Sequence, residues 1–153
     1  MKEWFNMKFI LFFIASILLS SCFLFKKYKK TDFVYTKNGQ TTSLPILVPK
    51  GFFKQERADT AGVTLNSFYY ADGAILYAAY ITDTATELQP IDKAIHQPQI
   101  HRLGGLVYKG QDSNELYYRE IEQGHLRFGY RFVPRILELQ FDSATNYASL
   151  QKH

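Results

Sequence analysis

Residues 63–82 read VTLNSFYYADGAILYAAYIT. Two apolar, aromatic-rich runs flank Asp72-Gly73, a dipeptide that signals a tight hairpin because glycine adopts the positive φ such turns require at no steric cost. Pairing across a two-residue turn predicts Tyr70 opposite Ile75, Tyr69 opposite Leu76, Phe68 opposite Tyr77 and Leu65 opposite Tyr80. Both faces of this hairpin are apolar. A sheet with one wet face alternates apolar with polar residues, so this pair needs cover on both sides and belongs inside a larger sheet. Tyr69, Tyr70, Tyr77 and Tyr80 accordingly read as core.

Working outward, Asn38-Gly39 between DFVYTK and QTTSL predicts a second hairpin. Pro45 and Pro49 bracket ILV and confine that segment to a short or edge strand, since proline donates nothing to a ladder. KGFFKQERADTAG, residues 50–62, reads as a loop plugged by Phe52-Phe53. Between Thr86 and Gln97, Leu88, Ile91 and Ile95 fall at helical spacing; Pro90 is tolerable in a first turn and Pro98 ends the helix. GGLVYKG reads as a short strand. ELYYREIE and HLRFGYRFV predict a third hairpin around Gln123-Gly124, with Glu122 opposite His125 and Glu120 opposite Arg127. A three-residue turn would instead oppose Arg119 to Arg127, a destabilising like-charge pair. After Pro134, ILELQF alternates as a last strand; Asp142 or Ser143 then caps a short helix with Ala144, Tyr147 and Ala148 inward.

The sum is an α+β fold: a mostly antiparallel sheet of six to eight strands, one inserted helix and a C-terminal helix. The order of a VPKGFF opening, paired strands, a helix, more strands and a final helix resembles the PsbP/Mog1 group of sandwiches, although the central hairpin stands where those folds often place a helix.

Upstream, Phe9 to Leu19 is apolar except for Ser16, after a short n-region holding Lys2 and Lys8. Leu19-Ser20-Ser21-Cys22 follows, with two small residues ahead of the chain's only cysteine. This order of charge, apolar run and small-small-Cys resembles the signal peptide and lipobox of bacterial lipoproteins. The resemblance implies cleavage before Cys22, acylation of its thiol and amine, and stable anchoring, because the acyl chains exceed the two-signal threshold. The rival reading is a membrane-spanning helix. Phe9 to Phe25 would span about 25 Å against a hydrocarbon core of about 30 Å, with three serines inside it. Lys26, Lys27, Lys29 and Lys30 would hold the flank of such an uncleaved span in the cytoplasm; beside a lipid anchor they would be drawn to anionic headgroups. The organisation expected is residues 1–21 as signal, 22–31 as a lipidated lysine-rich tether and 32–153 as one globular domain. In lipoproteins, aspartate after the cysteine retains the protein at the inner membrane, and acidic residues there accompany surface export. Phe23 and the lysines imply an outer-membrane anchor facing the periplasm.

Regional charge excludes one function class. The whole chain is +4, but residues 32–153 hold 12 Lys/Arg against 13 Asp/Glu, a balance of −1. Nucleic-acid binding needs a basic face across the domain, so it is not expected. No second cysteine exists to form a disulfide, and a domain of this length can bury a core without one.

Catalytic patterns are sparse. His96 and His101 lack the spacing of a helical metal pair, and no G-x-S-x-G or phosphate loop occurs; Gly104-Gly105 lacks the following G-K. No cofactor or metal is therefore expected. Glu120 and Glu122 alternate on one strand face and read as cross-strand ion pairs. Arg127 and Arg131 flank Gly129 on one face, with Tyr118 opposite that glycine. Together they read as a possible partner or anion patch, since guanidinium forks match carboxylate and phosphate. The expectation is an envelope lipoprotein serving as a binding or assembly module. The alternatives are a binder of a small or lipid-like ligand, or an enzyme whose residues meet only in the fold.

Overall fold

The computed structural model describes residues 27–88, 98–102 and 104–151. Among them, nine strands form two antiparallel sheets. β1 (Tyr28–Lys37) and β2 (Gln40–Pro49) make the small sheet. The large sheet comprises β3 (Phe52–Thr60), β4 (Val63–Tyr70), β5 (Ile75–Ile81), β6 (Gln99–Ile100), β7 (Leu106–Gln111), β8 (Tyr117–Gln123) and β9 (Leu126–Val133), ordered β3-β4-β5-β9-β8-β7-β6. A 3-10 turn at Arg135–Leu137 leads into helix α1 (Glu138–Ser149). The antiparallel sheet and the C-terminal helix are present. Thr86–Leu88 are not helical, and the rest of the expected inserted helix lies outside the described residues.

β5 is buried on both faces, as its two apolar stripes require. One face packs under the small sheet and α1: Tyr35 stacks on Tyr80 at 4.7 Å, and Phe141 of α1 meets Tyr70 and Tyr130 edge-on. Tyr70 donates to Pro49 O at 2.7 Å, tying the two sheets together. The opposite face buries Tyr77, Ala79, Ile81, Glu120 and Arg127.

The turns depart from expectation in instructive ways. The Asp72 hairpin loops through three residues: Gly73 N donates to Tyr70 O and Tyr70 N to Ala74 O, each at 3.0 Å. Gly73 alone takes positive φ (+88°), while Asp72 stays at negative φ and accepts from Ala74 N at 3.1 Å. A type I turn closed by one left-handed glycine demands less than a two-residue turn with two such centres. Every expected pair is therefore one residue out: Phe68 faces Leu76, Tyr69 faces Ile75 and Leu65 faces Ala79. Tyr77 thereby lands on the face away from Phe68. The third hairpin keeps a two-residue turn but centres it on Gly124-His125, with Gly124 at φ +56°. Glu122 consequently opposes Arg127, and Glu120 opposes Gly129.

Three other segments were misassigned from sequence. Residues 52–60 are an edge strand, not a loop; beyond Phe52 both of its faces are exposed, so no alternation marks it. Its charges pair along the strand, Lys54 with Glu56 at 2.5 Å and Arg57 with Asp59 at 2.7 Å, which discourages further strand addition. ILELQF is the 3-10 turn and first helical turn, because Leu137, Phe141, Ala144, Thr145 and Ala148 repeat at helical spacing behind Pro134. The domain also begins before residue 32. Tyr28 is buried and donates to Gln140 O at 3.1 Å, and Lys29, Lys30 and Thr31 pair with Val48, Leu47 and Ile46. At most 22–27 of the expected tether lies outside the strand.

Candidate functional site: a cleft beside helix α1

Cys22 and Lys26 lie outside the described residues, as do His96 and His153. Lys27, Lys29 and Lys30 are exposed at the start of β1. The expected patch of Arg127, Arg131 and Tyr118 does not form an open cationic strip. Arg127 is 3% exposed. Its guanidinium donates to Gly124 O at 2.6 Å, Leu126 O at 3.0 Å and Thr84 O at 3.3 Å, with Glu122 at 3.7 Å. The bare face of Gly129 is filled by the Tyr77 phenol, which donates to the buried Glu120 carboxylate. Tyr118 sits in the β8 bulge between the pairs Tyr117–Val133 and Arg119–Tyr130, so Glu120, not Tyr118, faces that glycine. Arg131 sits toward the other end of β9, its guanidinium 5.5 Å over the Phe132 ring. Arg127 is thus spent on the fold itself.

Sequence reasoning missed a different convergence. Arg119 of β8 is on the helix-covered face and 8% exposed. It donates to Thr145 Oγ1 at 3.0 Å, Asn146 Oδ1 at 2.8 Å and Asp142 O at 3.2 Å. Asp142 in turn accepts from Tyr130 Oη at 2.7 Å and Lys109 Nζ at 2.8 Å, and Lys109 also reaches Glu138 at 2.6 Å. Burial alone would lower the Lys109 ammonium, but its bonds to Asp142 and Glu138 outweigh that and hold it above the ordinary lysine value. Burial, reinforced by the bond to Asp142, pushes the Tyr130 phenol up. These contacts fix α1 on the sheet and set Arg119 at the edge of a cleft.

That cleft is about 310 Å³, lined by Gln99, Ile100, His101, Arg102, Val107, Arg119, Asn146 and Leu150. β6 and the turn behind it form its outer wall. His101 N donates to Gly105 O and Gly104 N to His101 O, both at 3.0 Å. Gly105 (φ +97°) must be glycine, because a Cβ there would lie 2.2 Å from Glu122 O. Gly104-Gly105 is thus a hairpin turn that brings His101 toward α1.

His101 Nε2 lies 3.2 Å from Ser149 Oγ. A nucleophile beside a base suggests acyl transfer, but the serine is out of reach. Ser149 is 1% exposed and its hydroxyl donates to Asn146 O at 2.8 Å, within its own helical turn. A hydroxyl so buried is closed to a substrate carbonyl, so the pair ties the β6 turn to α1. Burial lowers the His101 imidazole below its ordinary value, and the charge of Arg119 adds to that. Neutral His101 therefore seals the C-terminal turn of α1, while exposed Arg102 gives the cleft positive charge. Among the described residues, no group of three or more His, Cys, Asp or Glu is placed to hold a metal, and no helix is long and apolar enough to cross a membrane. No protein-family model, curated protein or solved structure matches the chain.

Proposed function

We propose that this chain is a lipid-anchored lipoprotein of the cell envelope, held at the periplasmic face of the outer membrane through Cys22, whose domain is a binding module with the α1 cleft as its recognition site. The composition of the cleft carries the binding half of this reading: apolar Ile100, Val107 and Leu150 surround convergent Arg102, Arg119, His101 and Asn146. At about 310 Å³ it falls at the small end of ligand sites, where a few placed polar groups set specificity. Exposed Arg102 favours an anionic group, a carboxylate foremost, on a small molecule or a partner's chain. The order of apolar run, Leu19-Ser20-Ser21 and Cys22 supports the anchor.

Intact mass of protein purified from its own membranes, beside a Cys22→Ser variant, tests the anchor. The expected result is a chain beginning at acylated Cys22 and a variant that keeps its signal; a full-length mass unchanged by the substitution would refute it. A photo-crosslinking residue at exposed Ile100, compared with one at exposed Gln55 on β3, tests the cleft in the same membranes. The Ile100 position should give an adduct of defined mass that Arg102→Glu removes, whereas identical adduct profiles at the two positions would remove the cleft from consideration.

A further inference from the structure

The end of the domain where the chain enters carries several exposed apolar side chains among the described residues. Lys27 O accepts from Lys50 N at 2.9 Å and from Gln140 Nε2 at 3.4 Å, so the chain enters the domain beside the first turn of α1. On that turn and the 3-10 turn before it, Leu139 is 80% and Ile136 90% exposed. Phe132 stands just upstream at φ +59°, a left-handed backbone that bulky side chains rarely adopt, and is 41% exposed. Phe53, 71% exposed, begins β3 at the same end, where Phe52 pairs with Tyr70. Four of the seven large exposed apolar side chains among the described residues therefore cluster at one end of the sheet. The exposed side chains around them include Lys27, Lys29, Lys50 and Arg135. The carboxylates at this end are Asp72 at the hairpin turn, Asp112 and exposed Glu115 in the turn between β7 and β8, and Glu138, which is paired with Lys109.

We infer that this end is a membrane-docking face, with Ile136 and Leu139 seated in the headgroup layer of an anionic bilayer and the lysines on its phosphates. The inference rests on acylation of Cys22 as proposed above. Four residues, and so five Cα–Cα steps, separate Cys22 from Lys27, and five steps span at most about 18 Å. An acylated Cys22 thus holds Lys27, and with it Ile136 and Leu139, within a short reach of the interface whatever path those residues take. An apolar patch with a cationic rim at that distance matches what an anionic lipid surface accepts. Ile100 and Leu150, the other strongly exposed aliphatics, lie at the cleft end. Docking therefore turns the cleft away from the bilayer.

The chain itself supplies the probe. Its single tryptophan, Trp4, precedes Cys22, so a mature chain beginning at Cys22 contains none. Leu139→Trp and Ile100→Trp variants, expressed as full chains, extracted from membranes and checked by intact mass, are reconstituted into phosphatidylglycerol/phosphatidylethanolamine vesicles containing a doxyl-quenched lipid. Docking predicts blue-shifted emission and loss of intensity for the Leu139 variant, neither for the Ile100 variant, and reversal of the loss when Lys27, Lys29 and Lys50 are changed to glutamate. Acylated protein in which the two tryptophans are equally quenched, or equally unquenched, overturns docking and leaves the anchor intact. A concentration-dependent blue shift of the Leu139 variant in detergent without lipid also overturns it, assigning the face to a second copy of the chain. A full-length, unacylated mass overturns the anchor, and docking with it.

Discussion

Two residues show how little space the sheet leaves. At Gly129 an added Cβ would lie 2.2 Å from Tyr77 Oη and 2.6 Å from Arg119 O, and neither a buried phenol nor a ladder carbonyl can retreat. Gly129→Ala should cost about 1–3 kcal/mol, as overpacking does, read as a lower urea midpoint at unchanged m-value; a midpoint equal to wild type would mean that β9 moves freely past β5. His101 supplies the second case. Its imidazole is held below the ordinary value, so the unfolded chain binds a proton more readily than the folded one. The associated stability is present above the unfolded value of about 6.5 and is lost as pH falls through the lower folded value. Wild type should lose more stability between pH 7.5 and pH 5.5 than His101→Gln does. Equal losses would show that folding does not lower the imidazole.

Among the elements, α1 depends on one carboxylate. Asp142 serves Lys109, Arg119 and Tyr130 together, and removing its charge leaves two cations short of an acceptor in a partly buried setting. Asp142→Asn should cost about 3 kcal/mol, within the range for charged hydrogen bonds. Glu138→Gln, which touches only Lys109 at the rim, should cost under about 1 kcal/mol. Chemical denaturation of the two variants separates a hub from a simple pair. None of this was visible along the chain. Lys109, Arg119 and Asp142 sit in three separate segments, and Asp142 read equally well as a helix cap. Turn chemistry was the legible part: Asn38-Gly39, Asp72-Gly73 and Gly124 each mark a real hairpin, and the double apolar stripe of residues 75–81 correctly placed β5 inside the sheet. What failed was spacing. One residue more in the Asp72 turn shifted every pair, and the fully exposed KQERADT stretch offered no periodicity to read.

The whole molecule is polarised. The chain enters at one end of α1, the cleft opens at the other, and the 12 residues between span about 18 Å. Because β1 begins at Tyr28, the boundary read from the lysines cuts into the fold. A chain starting at residue 32 should be less stable than one starting at residue 27 by about 3 kcal/mol or more, the usual loss on removing a buried aromatic, with the difference visible in thermal melts. Identical melting temperatures would return residues 28–31 to the tether. The small sheet has a mechanical consequence as well. Ten consecutive pairs join β1 to β2, from Tyr28 opposite Pro49 to Lys37 opposite Gln40, more than join any two strands of the large sheet. Lys27 and Lys50 leave that ribbon at the same end. A tug on the amino terminus against the rest of the domain therefore opens the ribbon as a zipper, rung by rung from the Tyr28–Pro49 pair, rather than loading all its bonds at once. On the lipid-anchored reading proposed above, tension from the membrane would fall first on that single rung.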